Sequence, residues 1–307
     1  MYYFIVNIKS RTGKARKIWE EIREVLDARG VEYEYHVTEY AGHAVEIARK
    51  LLRKHEGVLK IVVLGGDGTF NEVINGAREH DRIQLGYIPT GSGNDLSRGL
   101  GLSKEPLENL ERILNSTEDW HMDLGCVSWD EGESKRYFGV STGVGVDADV
   151  CRRVLHSNLK KILNKLGLGK LTYIIITLQS LFAMPNLTAR IIVDGVDYGK
   201  KDKGIFIAFM NHRCEGGGVP MSPQADAFDG KLNMCCVSGL KKLACLPALV
   251  KLMGAKHESL SAYLGVFFKE ADIILETPFV WHTDGEIITY NTVMHIECLP
   301  GALRIMK

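Results

Sequence analysis

Strand-like and helix-like segments alternate strictly over the first third of the chain, and this pattern constrains the fold most. The predicted strands are YYFIVNI, VEYEYHVT, KIVVLGG and IQLGYIP, and the predicted helices are Ala15–Arg29, Ala44–His55, Thr69–Arg78 and a short one near Asp95. Such alternation is typical of a doubly wound, mostly parallel sheet. Ligands bind beyond the carboxyl ends of such strands, so the loops that follow them are predicted to carry the chemistry.

The pattern changes near Asp119, after which most segments have strand character. The predicted strands are WHMDLGCVSW, KRYFGVST, LTARIIVDGVDYG, GIFIAFMN, KLNMCCVSG, ADIILETP and VMHIECLP, with helical stretches over 147–166, 171–184 and 241–255. A length of 307 residues with 45% apolar composition suits one large or two ordinary domains. We therefore predict an α/β domain over 1–122 and a mainly antiparallel, β-rich domain with a few helices over 123–307. The C-terminal segment could return to the first domain.

Bulk properties exclude several classes of protein. A formal net charge of zero argues against general nucleic-acid binding, which needs a basic surface. The seven cysteines are odd in number and include no CxxC pair, which is typical of buried thiols in a reducing cytoplasm. The opening MYYFIVNIKS is read as a strand and not as a signal peptide. The uncharged stretch over 171–184 falls short of the roughly 20 apolar residues of a bilayer span. It predicts a packed or interfacial helix.

Two glycine-rich loops follow successive predicted strands. Gly65, Gly66 and Gly68 let the backbone approach a polyphosphate and turn N–H groups toward it, and the following helix adds its positive end. Asp67 repels bare phosphate, so it implies an intervening cation. Pro89-Thr90-Gly91-Ser92-Gly93-Asn94-Asp95 repeats the arrangement. A tight strand–helix turn would explain one such loop, but the pair predicts phosphate binding.

The order of the motifs resembles a known family. The motifs are GGDGT followed by FNEVINGA, then PTGSGND, Asp123-Leu124-Gly125, Asp284-Gly285-Glu286 and LPGAL. Together they resemble the bacterial diacylglycerol kinases, sphingosine kinases and ceramide kinases, almost from end to end. GGDGT alone is less specific, because NAD kinases and phosphofructokinases have similar loops.

The resemblance implies that ATP binds to the first domain, the diacylglycerol kinase catalytic domain. The implied nucleotide-binding residues are Asn7, Ser10, Thr12, Thr38, Gly65, Gly66, Asp67, Gly68, Thr69, Asn71, Glu72, Gly91, Ser92, Asn94 and Asp95. The first loop departs from the family, since Ile8 stands where Pro is usual and Arg11 where Gly is frequent.

Two sets of cation ligands are also implied by the resemblance. Mg2+ would be arranged, partly through water, by Asp67, Asp95 and Asp123. A second, structural cation would be held by Asp226, Asp229 and a backbone oxygen near Lys231, although a solvated turn is the alternative there.

Phosphoryl transfer needs a group that accepts the proton of the attacking hydroxyl. The resemblance makes Asp284 in HTDGEII the candidate base in the lipid-binding and catalytic second domain, with Glu286 as the second candidate. Asp-Gly between apolar runs is also a hairpin signal, and Asp194-Gly195 is predicted to form such a turn. Both interpretations of Asp284 remain open at this stage.

The stretch from Val150 to Val193 has no acidic residue but several basic and apolar ones. Its basic residues are Arg152, Arg153, Lys160, Lys161, Lys165, Lys170 and Arg190. This composition favours contact with an anionic membrane surface, but a helical pair with a solvated basic face would look the same.

The sequence thus predicts a cytoplasmic, peripherally membrane-associated lipid kinase of phospholipid metabolism, which uses ATP and Mg2+. Its expected reaction converts diacylglycerol to phosphatidic acid, with phosphatidylglycerol or a sphingoid base as alternative acceptors. A kinase of a soluble substrate, in the manner of NAD kinase, and a nucleotide-binding regulatory protein without turnover are the rival hypotheses. No nucleic-acid partner is expected, and homo-oligomerisation is left open.

Overall fold

The computed structural model describes residues 1–77, 80–155 and 169–307, with the side chains of residues 11, 12, 155 and 169–174 left aside. Within these residues the chain forms two compact units. The first comprises Met1–Leu124 together with Pro300–Lys307, and the second comprises Gly125–Leu299.

The first unit is a parallel sheet with helices. Its elements are β1 (Tyr2–Val6), α1 (Lys14–Ala28), β2 (Tyr33–Val37), α2 (His43–Lys54), β3 (Leu59–Gly65), α3 (Asp67–Gly76), β4 (Ile83–Pro89), α4 (Asp95–Gly99) and α5 (Pro106–Leu114). The strands lie in the order β2-β1-β3-β4, all parallel. The C-terminal strand adds a further parallel neighbour, since Arg304 pairs with Gln84 of β4. The predicted doubly wound sheet is confirmed, while α5 was not predicted.

Helix α1 shows why these segments fold as they do. Its buried residues Ala15, Trp19, Ile22 and Leu26 recur at helical spacing and pack on Phe4 and Val6 of β1. Strand β1 has β2 on one side and β3 on the other, so the chain changes direction across the sheet between β1 and β3. The loops that follow these two strands therefore open at the topological switch point, where α/β sheets bind ligands.

The second unit is β-rich and antiparallel. Its elements are β5 (Asp119–Trp129, which starts in the first unit), β6 (Ser134–Phe138), β7 (Ser141–Gly145), α6 (Val146–Leu155), α7 (Gly169–Ala183), β8 (Leu187–Val193), β9 (Val196–Gly204), β10 (Phe206–Met210), β11 (Leu232–Val237), α8 (Cys245–Met253), β12 (Tyr263–Phe268), β13 (Glu270–Thr283) and β14 (Glu286–Met306, which ends in the first unit). The strands run β12-β11-β10-β7-β13-β14, with β8 on β13.

The antiparallel second domain with a few helices is confirmed, with two differences in detail. KRYFGVST forms two strands, β6 and β7, because the chain breaks at Gly139 and Val140. Strand β12 was not predicted, although it pairs with β11 along its whole length. Among the described residues, no helix has the length and apolar character needed to cross a bilayer.

Two hairpins of this unit turn on Asp-Gly. Asp194 and Gly195 join β8 to β9 with φ of 47° and 76°, and Asp284 and Gly285 join β13 to β14 with φ of 47° and 83°. Positive φ at both central residues is the geometry of the type I′ hairpin turn. The hairpin predicted at Asp194 is confirmed, and Asp284 occupies the same kind of turn.

Candidate active site

The two glycine-rich loops of the first unit touch each other. A Cβ atom placed on Gly91 would lie 2.8 Å from the Cα of Gly66 and 2.7 Å from the Oδ1 of Asn94. The N–H of Thr90 donates to the Gly65 carbonyl at 2.7 Å. A side chain at Gly66 or Gly91 would therefore push the loops apart, so both glycines serve close backbone approach.

The loop after β1 is joined to both glycine-rich loops. Asn7 Nδ2 donates to Thr69 Oγ1 at 3.0 Å, and the hydroxyls of Ser10 and Thr90 are 2.6 Å apart. Thr38, at the end of β2, is buried and donates its N–H to the Val6 carbonyl. Predicted residues from all four strand ends therefore lie at the same edge of the sheet, while the Thr12 side chain falls outside the described residues.

Asp67 lies at the start of α3 and links three elements. Its Oδ1 accepts a hydrogen bond from the Tyr87 hydroxyl at 3.1 Å, and its Oδ2 accepts one from the Asp95 N–H at 2.8 Å. A Cβ on Gly93 would lie 3.6 Å from the Oδ2 of Asp67 and 3.7 Å from the Oδ2 of Asp95. Asp95 also forms an ion pair with Arg98. Two carboxylates thus flank the tip of the second loop.

These carboxylates suit a magnesium ion. Mg2+ prefers hard oxygen ligands, keeps several waters and takes one or two carboxylates beside substrate phosphates. Asp67 and Asp95 supply such oxygens beside Gly93, in a loop where glycines replace bulkier side chains. The third predicted ligand, Asp123, is buried, and its Oδ1 accepts the Gly301 N–H at 2.7 Å. That bond ties the LPGAL motif to β5, and a role in cation binding stays a prediction.

Tyr87 is a residue of this site that sequence reasoning missed. Burial raises its pKa well above the ordinary value, and the nearby charge of Asp67 adds to the effect. The neutral hydroxyl is therefore a permanent donor to Asp67. Within IQLGYIP it looks like an ordinary core aromatic of a buried strand, and nothing in the pattern singles it out.

Glu72 has a structural contact of its own. Its two carboxylate oxygens accept the N–H groups of Gly42 at 2.8 Å and Ala44 at 3.0 Å, at the start of α2. A carboxylate at a helix N-terminus satisfies donors that lack a partner within the helix and matches the helix dipole. Asn71, one residue earlier, is fully buried and bonded to Asn75, whereas Ser92 is exposed. Their contact with a nucleotide stays a prediction.

In the second unit, Asp284 fixes the segment between β6 and β7. Its Oδ2 accepts the Gly139 N–H at 2.8 Å, and its Oδ1 accepts those of Val140 at 2.8 Å and Ser141 at 3.0 Å. Glu286, just after the turn, instead accepts a hydrogen bond from Arg136 Nη2 at 2.7 Å. The side chain of Glu286 is 38% exposed. The two candidate bases therefore differ in their surroundings.

A buried polar cluster lies behind this turn. His282 is 1% exposed, its Nε2 is 2.7 Å from the Oδ2 of Asp147, and the Gly285 N–H points at its Nδ1 from 3.3 Å. A Cβ on Gly143 would lie 2.3 Å from the same Asp147 oxygen, so only glycine fits beside the pair. Sequence reasoning missed the cluster, because its members are far apart in the chain.

Charge is distributed unevenly within this cluster. Burial raises the pKa of Glu215 well above its ordinary value, and the Asp147 carboxylate adds to that rise. Burial opposes ionisation of Asp147 too, but the charge of His282 and the hydrogen bonds from His282 and Glu215 together lower its pKa. Burial lowers the pKa of His282, but the interactions with Asp147 and Cys151 together outweigh this and raise it. Glu215 is therefore the protonated carboxyl and Asp147 the charged one.

The cluster also contains donors that a metal could use. One oxygen of Asp147, the sulfur of Cys151 and one nitrogen of His282 lie within 4.8 Å of one another. Zinc takes such donors, but it needs a thiolate and a free imidazole nitrogen. Burial raises the pKa of Cys151, and the Nε2 of His282 is bonded to Asp147. The arrangement is that of a proton-linked network.

Asp226 and Asp229 lie in the loop before β11. The Oδ1 of Asp226 accepts the Phe228 N–H at 3.1 Å, and the Oδ1 of Asp229 accepts the Lys231 N–H at 2.9 Å. Both are local turns in which an aspartate caps the backbone two residues on. The predicted structural cation stays a prediction, as does the role of a backbone oxygen near Lys231.

Two glycine-rich loops in contact at the carboxyl ends of adjacent parallel strands, together with a β-rich unit, are the arrangement expected of a phosphotransferase. The sequence profile of the diacylglycerol kinase catalytic domain matches residues 1–127. That of the YegS C-terminal NAD kinase beta sandwich-like domain matches residues 140–307. The chain therefore belongs to the diacylglycerol kinase family of lipid kinases. Membership of this kinase family implies ATP as the phosphate donor.

Two proteins with related sequences align with nearly the whole length of this chain. A Bacillus subtilis (strain 168) protein, YtlR, which is named as a lipid kinase, is 30% identical over 99% of this chain and 98% of its own. The diacylglycerol kinase of Mycobacterium tuberculosis (strain ATCC 25618 / H37Rv) is 31% identical over 92% of this chain and 87% of its own.

Solved structures share the fold. A diacylglycerol kinase from Bacillus anthracis str. Sterne superposes with a TM-score of 0.72 at 21% identity, covering 99% of this chain and 96% of that one. Yeast NADH kinase, solved with NADH, superposes with a TM-score of 0.57 at 11% identity, covering 99% and 82%. At these identities the likeness concerns the fold alone.

Proposed function

We propose that this protein transfers the γ-phosphoryl group of ATP to a hydroxyl group of diacylglycerol, giving phosphatidic acid. The observation that carries the proposal is the contact of the two glycine-rich loops at the carboxyl ends of β3 and β4, with Asp67 and Asp95 beside them. The match to a diacylglycerol kinase catalytic domain and the Mycobacterium tuberculosis relative of that name support the choice of acceptor.

The first unit would hold the nucleotide. Backbone N–H groups of Gly66, Gly68 and Gly91 would approach the phosphates, and the N-terminus of α3 would add its positive end. Asn7, Ser10 and Thr69 would fix the loops around them through the hydrogen bonds described above. Thr12, Thr38, Asn71, Glu72, Ser92 and Asn94 complete the proposed binding set.

Asp67 and Asp95 would hold magnesium, with Asp123 as a further ligand or a support. When bound, the ion would neutralise the charge on the phosphates. The chain's own contribution is to keep both carboxylates in place: Tyr87 and the Asp95 N–H orient Asp67, and Arg98 orients Asp95. Asp226, Asp229 and a backbone oxygen near Lys231 would hold the second, structural cation.

Glu286 is the better candidate for the base that accepts the hydroxyl proton. Asp284 already accepts three backbone N–H groups, so taking a proton would compete with bonds that hold the 139–141 segment. The side chain of Glu286 is 38% exposed, so a substrate hydroxyl can reach it, and Arg136 orients it. In this assignment Asp284 is a positioning residue. The assignment reverses the preference that the sequence alone suggested.

Because the acceptor is a lipid, the enzyme would be cytoplasmic and would bind reversibly to the membrane surface. Three lysines of the predicted basic stretch, Lys160, Lys161 and Lys165, lie outside the described residues. The described part of the same stretch shows Arg152 and Arg153 paired with the buried Asp149. These two arginines therefore serve the protein's own structure at least in part.

A test should separate lipid from soluble acceptors. The purified protein would be incubated with labelled ATP and magnesium, beside diacylglycerol, phosphatidylglycerol and sphingosine in mixed micelles and beside NAD in solution. We expect labelled phosphatidic acid. Transfer to NAD alone would assign a soluble substrate, and transfer to nothing, with ATP still bound, would leave a regulatory nucleotide-binding protein.

The matched variant is Asp67→Asn. Its amide can donate to the Tyr87 oxygen while its carbonyl accepts the Asp95 N–H, so these two hydrogen bonds can survive while the charge is lost. We expect an unchanged melting temperature and a loss of at least about 100-fold in turnover, the scale of a removed electrostatic contact at a reacting group. Near-parental turnover at saturating magnesium would contradict the cation role of Asp67.

A further inference from the structure

The outer face of helix α8 carries an exposed apolar stripe, which we call the α8 stripe. It consists of Leu243 just before the helix and Leu246, Val250 and Met253 within it. Their exposed fractions are 72%, 39%, 73% and 49%. The spacing of three, four and three residues places them along one side of the helical surface. Four large apolar side chains in a row are more than the scattered single residues that ordinary surfaces show.

The opposite side of the helix already accounts for its packing. Cys245 is buried, and Leu252 packs against the same cluster as Met210 and Phe206. The α8 stripe therefore does not contribute to the packing of the helix on this core. CLPALVKLM contains a single charged residue, Lys251, so the helix is apolar around most of its circumference. Such a helix is normally enclosed by protein or by lipid.

The charges around the stripe indicate what covers it. From Lys231 to His257 the chain has no acidic residue, and its basic residues are Lys231, Lys241, Lys242, Lys251 and Lys256. Lys241, Lys251 and Lys256 are exposed at the two ends and on the flank of the helix. Apolar side chains framed by lysines are the combination that binds an anionic lipid surface.

A neighbouring element extends this surface. Lys242 Nζ donates to the carbonyls of Phe182 at 3.0 Å and Met184 at 2.6 Å, which fastens the end of α7 to the start of α8. Phe182 is itself 48% exposed, so an aromatic side chain is exposed at the end of α7. The chain carries no charge from Leu171 to Ala189, so this segment contributes no acidic group to the surface.

We propose that the α8 stripe, with its flanking lysines, is the surface by which the second unit settles on an anionic phospholipid membrane. This inference rests on the proposed function only in that a lipid substrate explains why the protein would bind a membrane. The binding itself requires no turnover. It places membrane contact on residues 241–256, outside the basic stretch that the sequence suggested.

The test measures binding of the full chain to vesicles by co-sedimentation, with phosphatidylglycerol-containing vesicles beside pure phosphatidylcholine vesicles. The double variant Val250→Gln, Met253→Gln should bind the anionic vesicles at least about tenfold more weakly, a change of about 1.4 kcal/mol. The control pair Val58→Gln, Val196→Gln replaces residues that are 50% and 57% exposed elsewhere, and it should bind like the parent.

The lysines give a second readout. Replacing Lys241, Lys251 and Lys256 by Gln should weaken binding to the anionic vesicles by roughly fivefold per charge, because each is worth about 1 kcal/mol at such a surface. The effect should shrink at high salt, as screening requires. Salt-independent binding, or equal binding of parent and double variant, would overturn the inference.

Vesicle binding and lipid phosphorylation together distinguish a failure of this inference from a failure of the proposed function. A parent that phosphorylates diacylglycerol in micelles but whose vesicle binding ignores the stripe overturns the membrane surface alone. A parent that needs the stripe for vesicle binding but phosphorylates no lipid overturns the proposed reaction alone. If sedimentation velocity without lipid shows a dimer that Val250→Gln, Met253→Gln converts to monomer, and vesicles bind neither form, a second copy covers the stripe instead.

Discussion

Two Asp-Gly turns of the second unit share the same dipeptide and the same positive φ, yet their surroundings differ. Asp194 uses one oxygen, Oδ1, to accept the N–H groups of Lys269 at 3.0 Å and Glu270 at 2.9 Å. Asp284 uses both oxygens to accept three N–H groups. The position after the glycine is Val196 in one hairpin and Glu286 in the other.

The comparison indicates that the Asp-Gly dipeptide determines the turn conformation, while the residues on either side of it determine which functional groups lie near the turn. Both aspartates satisfy backbone donors, which is a structural task. Only the second turn has a carboxylate directly after its glycine, and only there is the residue two before the aspartate a buried histidine, His282, where Ile192 stands in the other hairpin. The contrast suggests experiments on both turns in parallel.

The largest effect is expected at Glu286. Glu286→Gln keeps the size and can still bond to Arg136 through its carbonyl oxygen, so the fold and ATP binding should survive. Turnover should fall by about 10²–10⁴-fold, the contribution of a general base. The measurement is the initial rate on diacylglycerol micelles beside ATP affinity by calorimetry. A variant that keeps more than about a tenth of the parental rate would return the role of base to Asp284.

The second effect concerns the titratable cluster behind His282. Glu215 has a raised pKa in the folded protein, so the folded state holds a proton that the unfolded state releases above the ordinary value of 4.5. Its contribution to stability is complete below that value and is lost as pH rises. Glu215→Gln imitates the protonated form. It should therefore gain stability relative to the parent between pH 5 and 8, by up to about 1.4 kcal/mol per pH unit.

The measurement is the melting temperature of both proteins across that pH range. The parent also contains His212, whose pKa burial lowers to about 4, and His282, whose pKa is raised, but both groups are present in the variant too. The difference between the two proteins therefore reports Glu215 together with its effect on the neighbouring Asp147 and His282. A difference that stays constant from pH 5 to 8 would show that Glu215 is charged in the folded protein.

The third comparison replaces each turn aspartate by asparagine. At position 194 the amide oxygen can accept both N–H groups, so stability should change little. At position 284 one of the two atoms becomes an NH2 group that faces a backbone N–H, so at least one donor loses its partner. This should cost about 1–3 kcal/mol in the free energy of unfolding, measured in urea. Equal losses at both positions would mean that the three bonds of Asp284 contribute no more than the two of Asp194.

The fold was predictable because its signals are local. Strand and helix periods, glycines at the ends of β3 and β4 and the change of pattern near Asp119 each depend on a few adjacent residues. Helix α5 and strand β12 were missed, since PLENLERIL is short and YLGVFF follows a loop without a clear turn signal. Packing and pairing with neighbours decide such segments.

The candidate site was predictable only where motifs are continuous. The structure brings Asn7, Ser10, Thr69 and the two glycine-rich loops together, as the alternation of strands and helices implies. The partners of each carboxylate were not predictable, because they depend on tertiary distance. Tyr87 on Asp67 and the cluster of Asp147, Glu215 and His282 join residues from separate elements. Nothing in their local sequence records those contacts.

The smallest effect is expected from alanine at the two turn glycines. Gly195 and Gly285 have φ of 76° and 83°, and a Cβ atom would meet nothing within 4 Å at either position. The only cost is therefore the strain of an L-residue in the left-handed region, about 1 kcal/mol in each turn. Gly195→Ala and Gly285→Ala should thus lose similar amounts of stability in parallel urea titrations. The two variants should differ in turnover. Position 285 adjoins the candidate base Glu286, whereas position 195 adjoins Val196, which has no proposed role in the reaction. Parental turnover in Gly285→Ala would mean that small shifts of this turn leave Glu286 in place, and reduced turnover in Gly195→Ala would contradict the purely structural role of the other turn.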